Sequence, residues 1–408
     1  MKIVLILSFV LSLWAKQDLS PLEKKLYKFI QNTQYKEHYI KRYIGTWPTY
    51  PKYSGARKEI PESNSFMTLQ TIVLLNAVDK DYNLENVEDI YTLADNQIQN
   101  YVLDAKQTNE IEGTISFWPL LQADNGKWIR SFDTQWYNTS MRILNVGNDF
   151  DSSSQAFSWF YKRKTNKEFL NNFVKNVSSF VDANRSLEHP ANKKWKSKNS
   201  GAFLTWAETE APEKPVNRIM DLVNDVDCVV NLNILTALSS YENNIAELPQ
   251  KTIDAKINSC KLIHKVLLEN KEGQCATWYT RKSHFYLAFS KAYEADTFCL
   301  QEDKDLVYKR AKIRAKYLLE HKNMKAYTEI SELLIVLKSL KKKRTFFFNK
   351  MIIALENELK KGIVQREKYA YLPSKHSLFG GQAFSVFHFD WYGRANATAL
   401  ALRALSMK

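Results

Sequence analysis

The chain has 408 residues and a formal net charge of +14, with 45% hydrophobic and 13% aromatic residues. Only 11 glycines and 10 prolines occur, which argues against a turn-rich β-sandwich or barrel and favours a helical protein. The basic balance favours anionic partners, such as acidic glycans or a phospholipid surface, although lysines that merely solvate helix surfaces are the alternative. No nucleic-acid-binding module is recognisable, so we expect no nucleic-acid partner.

The first residues predict export. Lys2 is followed by the apolar or small stretch 3–15 and then by Lys16. This length is typical of a secretory signal peptide and short for a membrane span. We therefore predict a signal peptide over 1–15 and a single secreted or periplasmic domain over 16–408, with an uncleaved anchor as the alternative.

Six pairs of helices are predicted from the apolar periodicity. The first member of each pair has one apolar stripe, and the second is shorter and more apolar. The first members are predicted over 21–43, 86–103, 166–180, 251–268, 303–319 and 345–361, and the second members over 66–78, 153–160, 229–238, 283–293, 328–340 and 394–405. Such pairs wrap most economically as an inner ring within an outer ring, so we predict an all-α fold, an α/α toroid.

One acidic phrase occurs twice, as Asn148-Asp149-Phe150-Asp151 and Asn224-Asp225-Val226-Asp227. Each copy follows a tryptophan-containing segment and precedes a predicted inner helix. Aspartate and asparagine are preferred helix N-caps, and Ser152 with Gln155 also matches a capping box. Because one cap needs one residue, the second aspartate of each copy stays unexplained by capping.

Four cysteines, Cys228, Cys260, Cys275 and Cys299, would meet an oxidising environment after export. Their spacing does not determine a connectivity, and buried thiols are the alternative to disulfides. The sequence contains no Cys/His pattern for zinc.

Two segments carry a resemblance to a known superfamily. The stretches 224–231 and 392–400 resemble inner-helix starts in the α/α-toroid superfamily of class II terpene cyclases and protein prenyltransferases. The stretch 149–152 is similar to the D-x-D-D motif of the cyclases, whose middle carboxylic acid protonates an alkene. However, Ser152 and Cys228 stand where the last aspartate would be, and the zinc-binding set of prenyltransferases is missing. Other α/α toroids act on polysaccharides as hydrolases or lyases, and export fits those better.

The four aspartates of the two phrases are the candidate catalytic residues: Asp149, Asp151, Asp225 and Asp227. If they line the mouth of a cavity, crowding lets one carboxyl group retain its proton near neutral pH and creates an acid beside a base. A glycosidase needs such a pair. The same oxygens could instead hold calcium, and we expect no other metal or cofactor.

Aromatic and polar residues near the predicted inner-helix starts are the candidate substrate-binding residues. Flat indole rings could stack on sugars or shape an apolar pocket. Arg394 could bind a carboxylate or phosphate, while His388 or Asp390 could exchange protons. The alternatives are packing between loops and a salt bridge that closes the ring. The full set is Trp118, Trp206, Trp278, His388, Asp390, Trp391 and Arg394.

Three functions follow from these features. The first is an exported glycan-active hydrolase or lyase, which requires an open cleft with two carboxylates. The second is cyclase-like protonation of an isoprenoid, which requires a closed apolar cavity lined with aromatic rings. The third is a noncatalytic toroid that binds an anionic or apolar small ligand. The basic segment 338–344, followed by phenylalanines at 346–348, is either a turn or a peripheral membrane contact.

Overall fold

The computed structural model describes residues 16–53, 62–108, 110–122, 126, 128–130, 147–183, 195–207, 224, 226–279, 281–341, 346–374, 379–384 and 387–408. The chain is predominantly helical, at 64%, with little sheet, as the composition predicts. The predicted signal peptide lies outside the described residues. Within them, every helix is too short or too polar to cross a membrane.

Thirteen α-helices lie within the described residues. In chain order they are α1 (Pro21–Thr33), α2 (Ser65–Asp79), α3 (Val87–Gln107), α4 (Phe150–Arg163), α5 (Lys167–Val177), α6 (Cys228–Asn244), α7 (Gln250–Leu268), α8 (Glu272–Cys275), α9 (Lys282–Glu294), α10 (Lys304–Glu320), α11 (Tyr327–Leu340), α12 (Phe346–Gly362) and α13 (Arg394–Ser406).

The predicted first helix is too long. It ends at Thr33, and only a separate 3₁₀ turn, Lys41–Tyr43, follows within the predicted span. The Gln34 side chain turns inward and donates hydrogen bonds to the carbonyl groups of Gly45 and Ile90. Gly45 has φ +89° and lies against the backbone of α3, where a β-carbon would clash. The chain therefore leaves the helix to dock on α3.

Six core helices contact one another in a closed order: α2 packs on α4, α4 on α6, α6 on α9, α9 on α11, α11 on α13, and α13 again on α2. They are apolar on nearly all sides, and most of their residues are buried. The helices that precede them in each predicted pair are more polar and pack around the core helices. Burial thus follows composition, because the helices that are apolar on nearly all sides are the most buried ones.

The core helices run in the same direction. At their N-terminal ends, the Ser65 hydroxyl of α2 donates to the carbonyl of Ser116, and Phe150 N–H of α4 donates to the carbonyl of Thr205. At the opposite ends, the Lys338 ammonium of α11 donates to the carbonyl of Ala404 in α13 at 2.7 Å. The segments that lead into α4 and α6 therefore lie beside the starts of α2 and α4, respectively.

A three-stranded antiparallel sheet, in the order β1-β9-β8, was not predicted. Its strands are β1 (Tyr50–Tyr53), β8 (Phe379–Phe384) and β9 (Phe387–Tyr392). Tyr50 pairs with Tyr392, so the sheet joins the segment before α2 to the segment before α13. Alternating aromatic residues in β9 are typical of a strand, in a chain whose apolar periodicity is otherwise mostly helical.

The remaining strands are short two-stranded ladders. They comprise β2 (Ile115–Ser116) with β5 (Asn148–Asp149), β3 (Leu120–Gln122) with β4 (Trp128–Arg130), and β6 (Val364–Gln365) with β7 (Ala370–Tyr371). The first ladder pairs Ile115 with Asp149 and thereby fixes the start of α4.

Both cysteine pairs form disulfides, Cys228–Cys275 and Cys260–Cys299, which leaves no free cysteine. The buried-thiol alternative is therefore wrong. Cys228 is the first residue of α6, and Cys275 is the last residue of α8. This bridge ties the start of α6 to the segment that carries Trp278 and Tyr279.

The two bridges should contribute similarly to stability. They close segments with separations of 47 and 39 residues, and the chain-entropy account assigns about 4 kcal/mol to loops of this size. Replacing either pair by alanine should therefore lower the free energy of unfolding by roughly 2–4 kcal/mol. Urea unfolding of Cys228→Ala/Cys275→Ala beside Cys260→Ala/Cys299→Ala measures this, and an unchanged midpoint in either variant would contradict it.

Candidate active site

Asp149 is the N-cap of α4. Its Oδ1 accepts a hydrogen bond from Ser152 N–H at 2.5 Å, while its buried Oδ2 has no hydrogen-bond partner among the described residues. Burial, together with the charge of Asp151, raises the pKa of Asp149 to about 8. The predicted capping box at Ser152 and Gln155 is wrong, because the helix begins at Phe150 and Asp149 is the cap.

Asp151 lies in the first turn of α4 and is half-buried. Its Oδ1 accepts a hydrogen bond from Asn233 Nδ2 at 2.7 Å, and its Oδ2 accepts one from the Tyr279 hydroxyl. Burial raises the pKa of Asp151 to about 7, and Asp227 adds to this, against the lowering effect of the two hydrogen bonds. Asp151 is thus the aspartate of the first phrase that capping does not use.

Asp227 is the N-cap of α6 and is fully buried. Its Oδ1 accepts hydrogen bonds from the backbone N–H groups of Val229 at 2.7 Å and Val230 at 3.2 Å. Its Oδ2 accepts one from the backbone N–H of Trp278 at 2.9 Å. The two phrases are therefore displaced by two residues, because the cap is the first aspartate in one copy and the second in the other. Asp225 lies outside the described residues.

Tyr279 links the aspartates to a second polar cluster. Its hydroxyl donates to Asp151, and its ring lies 5.3 Å from the His284 ring in an edge-on arrangement. Burial and the neighbouring charge of Asp151 raise the pKa of Tyr279 well above its ordinary value. The phenol therefore keeps its proton and acts as a hydrogen-bond donor.

The second cluster consists of Arg281, Ser283, His284 and Glu332. Glu332 is buried and accepts hydrogen bonds from Arg281 Nη2 at 2.8 Å and from Ser283 Oγ, while His284 Nε2 lies 3.0 Å from the same carboxylate. Burial opposes ionisation of Glu332, but Arg281 and His284 outweigh it and lower the pKa to about 2. Burial lowers the pKa of His284. Sequence reasoning missed this cluster, although a glutamate inside the apolar helix α11 was the available signal.

Trp118 and Trp391 meet at a buried glutamate. Their indole N–H groups donate to Glu62 Oε2 at 2.9 Å and Oε1 at 2.7 Å, respectively. Asn64 and Thr49 donate to the same carboxylate. Burial raises the pKa of Glu62, and the four donors act in the opposite direction. Both indole rings are buried around Glu62, which leaves little ring surface to contact a ligand.

Trp206 and Trp278 lie beside the aspartates. Their ring centroids are 5.6 Å apart at an interplanar angle of 89°. The Trp206 backbone bridges to Asp149, and the Asn224 side chain holds the N–H and carbonyl groups of Trp206. Among the described residues, neither buried indole N–H has a hydrogen-bond partner. Two unpaired donors thus accompany the unpaired Asp149 oxygen.

The predicted polar cluster before α13 is described only in part. His388 and Asp390 belong to β9, where their backbones pair with Gln382 and Gly380, and their side chains lie outside the described residues. Arg394 is exposed, and its guanidinium group lies 5.4 Å from the centre of the Tyr50 ring. These residues stay predictions as a substrate-binding group.

Within the described part of the chain, the arrangement compatible with a metal ion is His264, Glu302 and Asp303, whose ligand atoms lie within 4.8 Å of one another. It involves none of the four predicted aspartates. The calcium alternative for those aspartates stays a prediction.

Comparison with known proteins defines the fold alone. No protein-family model matches the chain, and no curated protein matches its sequence. A solved structure titled "Crystal structure of a protein from Actinoplanes" is similar, with a TM-score of 0.50 and 14% sequence identity. The similarity covers 94% of this chain and 98% of that one. The helical arrangement is thus shared across nearly the whole length of both proteins.

The raised pKa of Asp149 predicts a stability that depends on pH. The unfolded carboxyl group loses its proton near pH 3.9, whereas the folded one keeps it until about pH 8, so its contribution to stability declines as the pH rises between these values. Asparagine still caps a helix and does not ionise. The melting temperature of Asp149→Asn, relative to wild type, should therefore rise from pH 5 to pH 9.

The control is Asp254→Asn, which changes an exposed aspartate on α7. Its melting temperature relative to wild type should not change over the same interval. A difference between Asp149→Asn and wild type that is independent of pH would contradict the assignment of a buried, protonated Asp149.

Proposed function

We propose that the chain is an exported α/α-toroid enzyme that acts on a glycan, as a hydrolase or lyase, with Asp151 as its general acid or base. The toroid assignment is supported by the closed contact order of six parallel core helices and by the more polar helices packed around them. The two disulfides support export, because such bonds persist mainly in oxidising compartments.

The observation that carries this proposal is the environment of Asp151. A general acid or base works best when its pKa lies near the working pH, and the pKa of Asp151 is raised to about 7. Asn233 and Tyr279 hold its two oxygens in place, while its partial exposure leaves it open to a substrate. Of the three described aspartates, it alone combines these properties.

The neighbouring groups take supporting roles. Asp149, with a pKa of about 8, keeps its proton at neutral pH and so limits the negative charge beside Asp151. Backbone N–H groups engage both oxygens of Asp227, which supports a positioning role in place of the catalytic role predicted for it. Tyr279 orients Asp151 and supplies a donor to charge that develops there.

Polar lining favours a glycan over an isoprenoid. Ser158 of α4 and Thr236 and Ser240 of α6 are half-buried among mostly buried neighbours, and the buried Asn233 lies one turn before Thr236. Hydroxyl groups at these half-buried positions suit a ligand rich in hydroxyl groups, whereas a cyclase pocket would present apolar and aromatic surface there.

Cyclase-like protonation is the second candidate. Asp151 occupies the position of the middle carboxylic acid in the D-x-D-D motif, and its pKa of about 7 keeps a fraction of it protonated at neutral pH. Binding without catalysis is the third, and it predicts no loss of function when Asp151 is neutralised.

The described part of the basic segment 338–344, residues 338–341, has contacts that favour the turn interpretation. The Lys338 ammonium is buried, donates to two carbonyl groups of α13 and its C-terminal end, and lies 2.8 Å from Glu356. Phe348 is also buried. These residues are therefore engaged within the protein, and we do not propose membrane contact through them.

The test combines a substrate screen with one matched pair of variants. On a glycan that the wild type cleaves, Asp151→Asn should lower kcat by a factor of about 10² to 10⁴, the usual contribution of a general acid or base. The exposed-site variant Asp254→Asn should keep full activity. The wild-type pH profile of kcat/KM should inflect near pH 7, as the pKa of Asp151 requires.

Full activity of a folded Asp151→Asn would eliminate Asp151 as acid or base. Cyclisation of an isoprenoid by the wild type, without cleavage of any glycan, would favour the second candidate instead.

A further inference from the structure

Basic side chains gather towards the C-terminal ends of the core helices, opposite the aspartates. Lys162 lies near the end of α4, Lys291 near the end of α9 and Arg403 near the end of α13, while Lys80 follows α2 directly. Because the core helices run in parallel, these positions fall at one end of the assembly. Lys162 lies close enough to the other three to interact with them electrostatically.

Lys162 and Lys291 have no direct partner among the described residues. Neither forms a hydrogen bond or ion pair with any residue that the structure describes, whereas Arg403 donates to the Ala77 carbonyl at 3.0 Å and lies 3.5 Å from Asp81. Glu294 is the acidic residue that interacts with both lysines at longer range. Surrounding protein, and for Lys162 also the charge of Lys291, lowers the pKa of both ammonium groups, to about 8 for Lys162. Each ammonium group thus lacks a direct counter-ion among the described residues, and the carboxylates of Asp151, Glu294 and Glu332 act on Lys291 only at longer range.

Lys162 lies on the same side of α4 as Asp151 and is exposed, while Lys291 on α9 is half-buried. Lys291 interacts electrostatically with Asp151 as well as with Lys162. Along α4, the eleven residues from Asp151 to Lys162 correspond to about 16 Å at the rise of an α-helix. Side chains on a helix lean towards its N-terminus, which brings both ammonium groups nearer to Asp151 than their backbones are. One extended ligand could therefore contact both Asp151 and the two lysines.

We propose that Lys162 and Lys291 form a binding site for an anionic group, a carboxylate or a sulfate, on an acidic oligosaccharide whose reacting bond lies at Asp151. This inference rests on the proposed function and adds the charge of the substrate to it. Bonds from ammonium groups to such anions are charge-assisted and supply orientation as well as affinity. The anion would provide the direct ion-pair partner that neither lysine has among the described residues.

The experiment compares charged and neutral trisaccharides by calorimetry at constant ionic strength. The probes are trigalacturonate, a sulfated maltotriose and maltotriose itself. The site variant is Lys162→Met/Lys291→Met, and the control is Lys175→Met/Lys261→Met, which removes the same charge from exposed positions on α5 and α7. Equal net charge in the two variants separates a local site from long-range attraction.

Wild type and control should bind at least one charged probe, and the site variant should bind it at least tenfold more weakly. The galacturonate and sulfate arms show which anion the site takes. An equal loss in both variants, tight binding of maltotriose, or failure of the wild type to bind either charged probe would overturn the proposal. The melting temperature of the site variant should equal or exceed that of wild type, because the two ammonium groups that are removed have no direct ion-pair partner among the described residues.

Binding by the inactive Asp151→Asn separates this inference from the proposed function. If charged probes bind through Lys162 and Lys291 but no glycan is cleaved, the anion site stands and the catalytic proposal fails. If a neutral glycan is cleaved through Asp151 and the lysine variant behaves as wild type, the catalytic proposal stands and the anion site fails.

Discussion

The backbone N–H groups at the start of each core helix are the constraint on which the rest of the structure depends. They have no partner within their own helix and must be satisfied while buried. Asp149 satisfies this need at α4, and Asp227 does so at α6. Aromatic segments from neighbouring pairs lie over the same ends, as when Trp278 N–H bonds to Asp227. Helix capping alone therefore explains why carboxylates and tryptophans lie close together, without any catalytic role.

The candidate site is defined by the aspartate that does not cap a helix. Asp151 is not a cap, and its two oxygens are held by side chains from other parts of the chain, Asn233 and Tyr279. The Cys228–Cys275 bridge holds the segment of Tyr279 against the start of α6. A carboxyl group with a raised pKa is thus positioned by groups far apart in sequence. In the first phrase, one aspartate therefore caps the helix, and the other is left for contacts with distant side chains.

Helices were predictable because their apolar periodicity is strong. The core helices were recognisable in the sequence because apolar residues occupy nearly all of their sides. Their starts were less so: α4 begins three residues before its predicted start because Asp149, not Ser152, is the cap. The pairing of β1 with β9 was not predictable, since the two strands lie more than 300 residues apart, whereas β8 and β9 are neighbours in sequence. The partnership of Tyr279 with Asp151, and the cluster around Glu332, depend on such distant contacts. Local patterns supply candidate residues, whereas tertiary packing decides which of them meet.

The pairing of β1 with β9 has a consequence for how the protein acquires its structure. The contacts of α2 with α13 cannot form until residues beyond 387 are available, so the closed order of helices is completed late in synthesis. Contacts between such remote segments carry a high loop-closure cost and slow folding. Before they form, α2 presents an uncovered apolar flank.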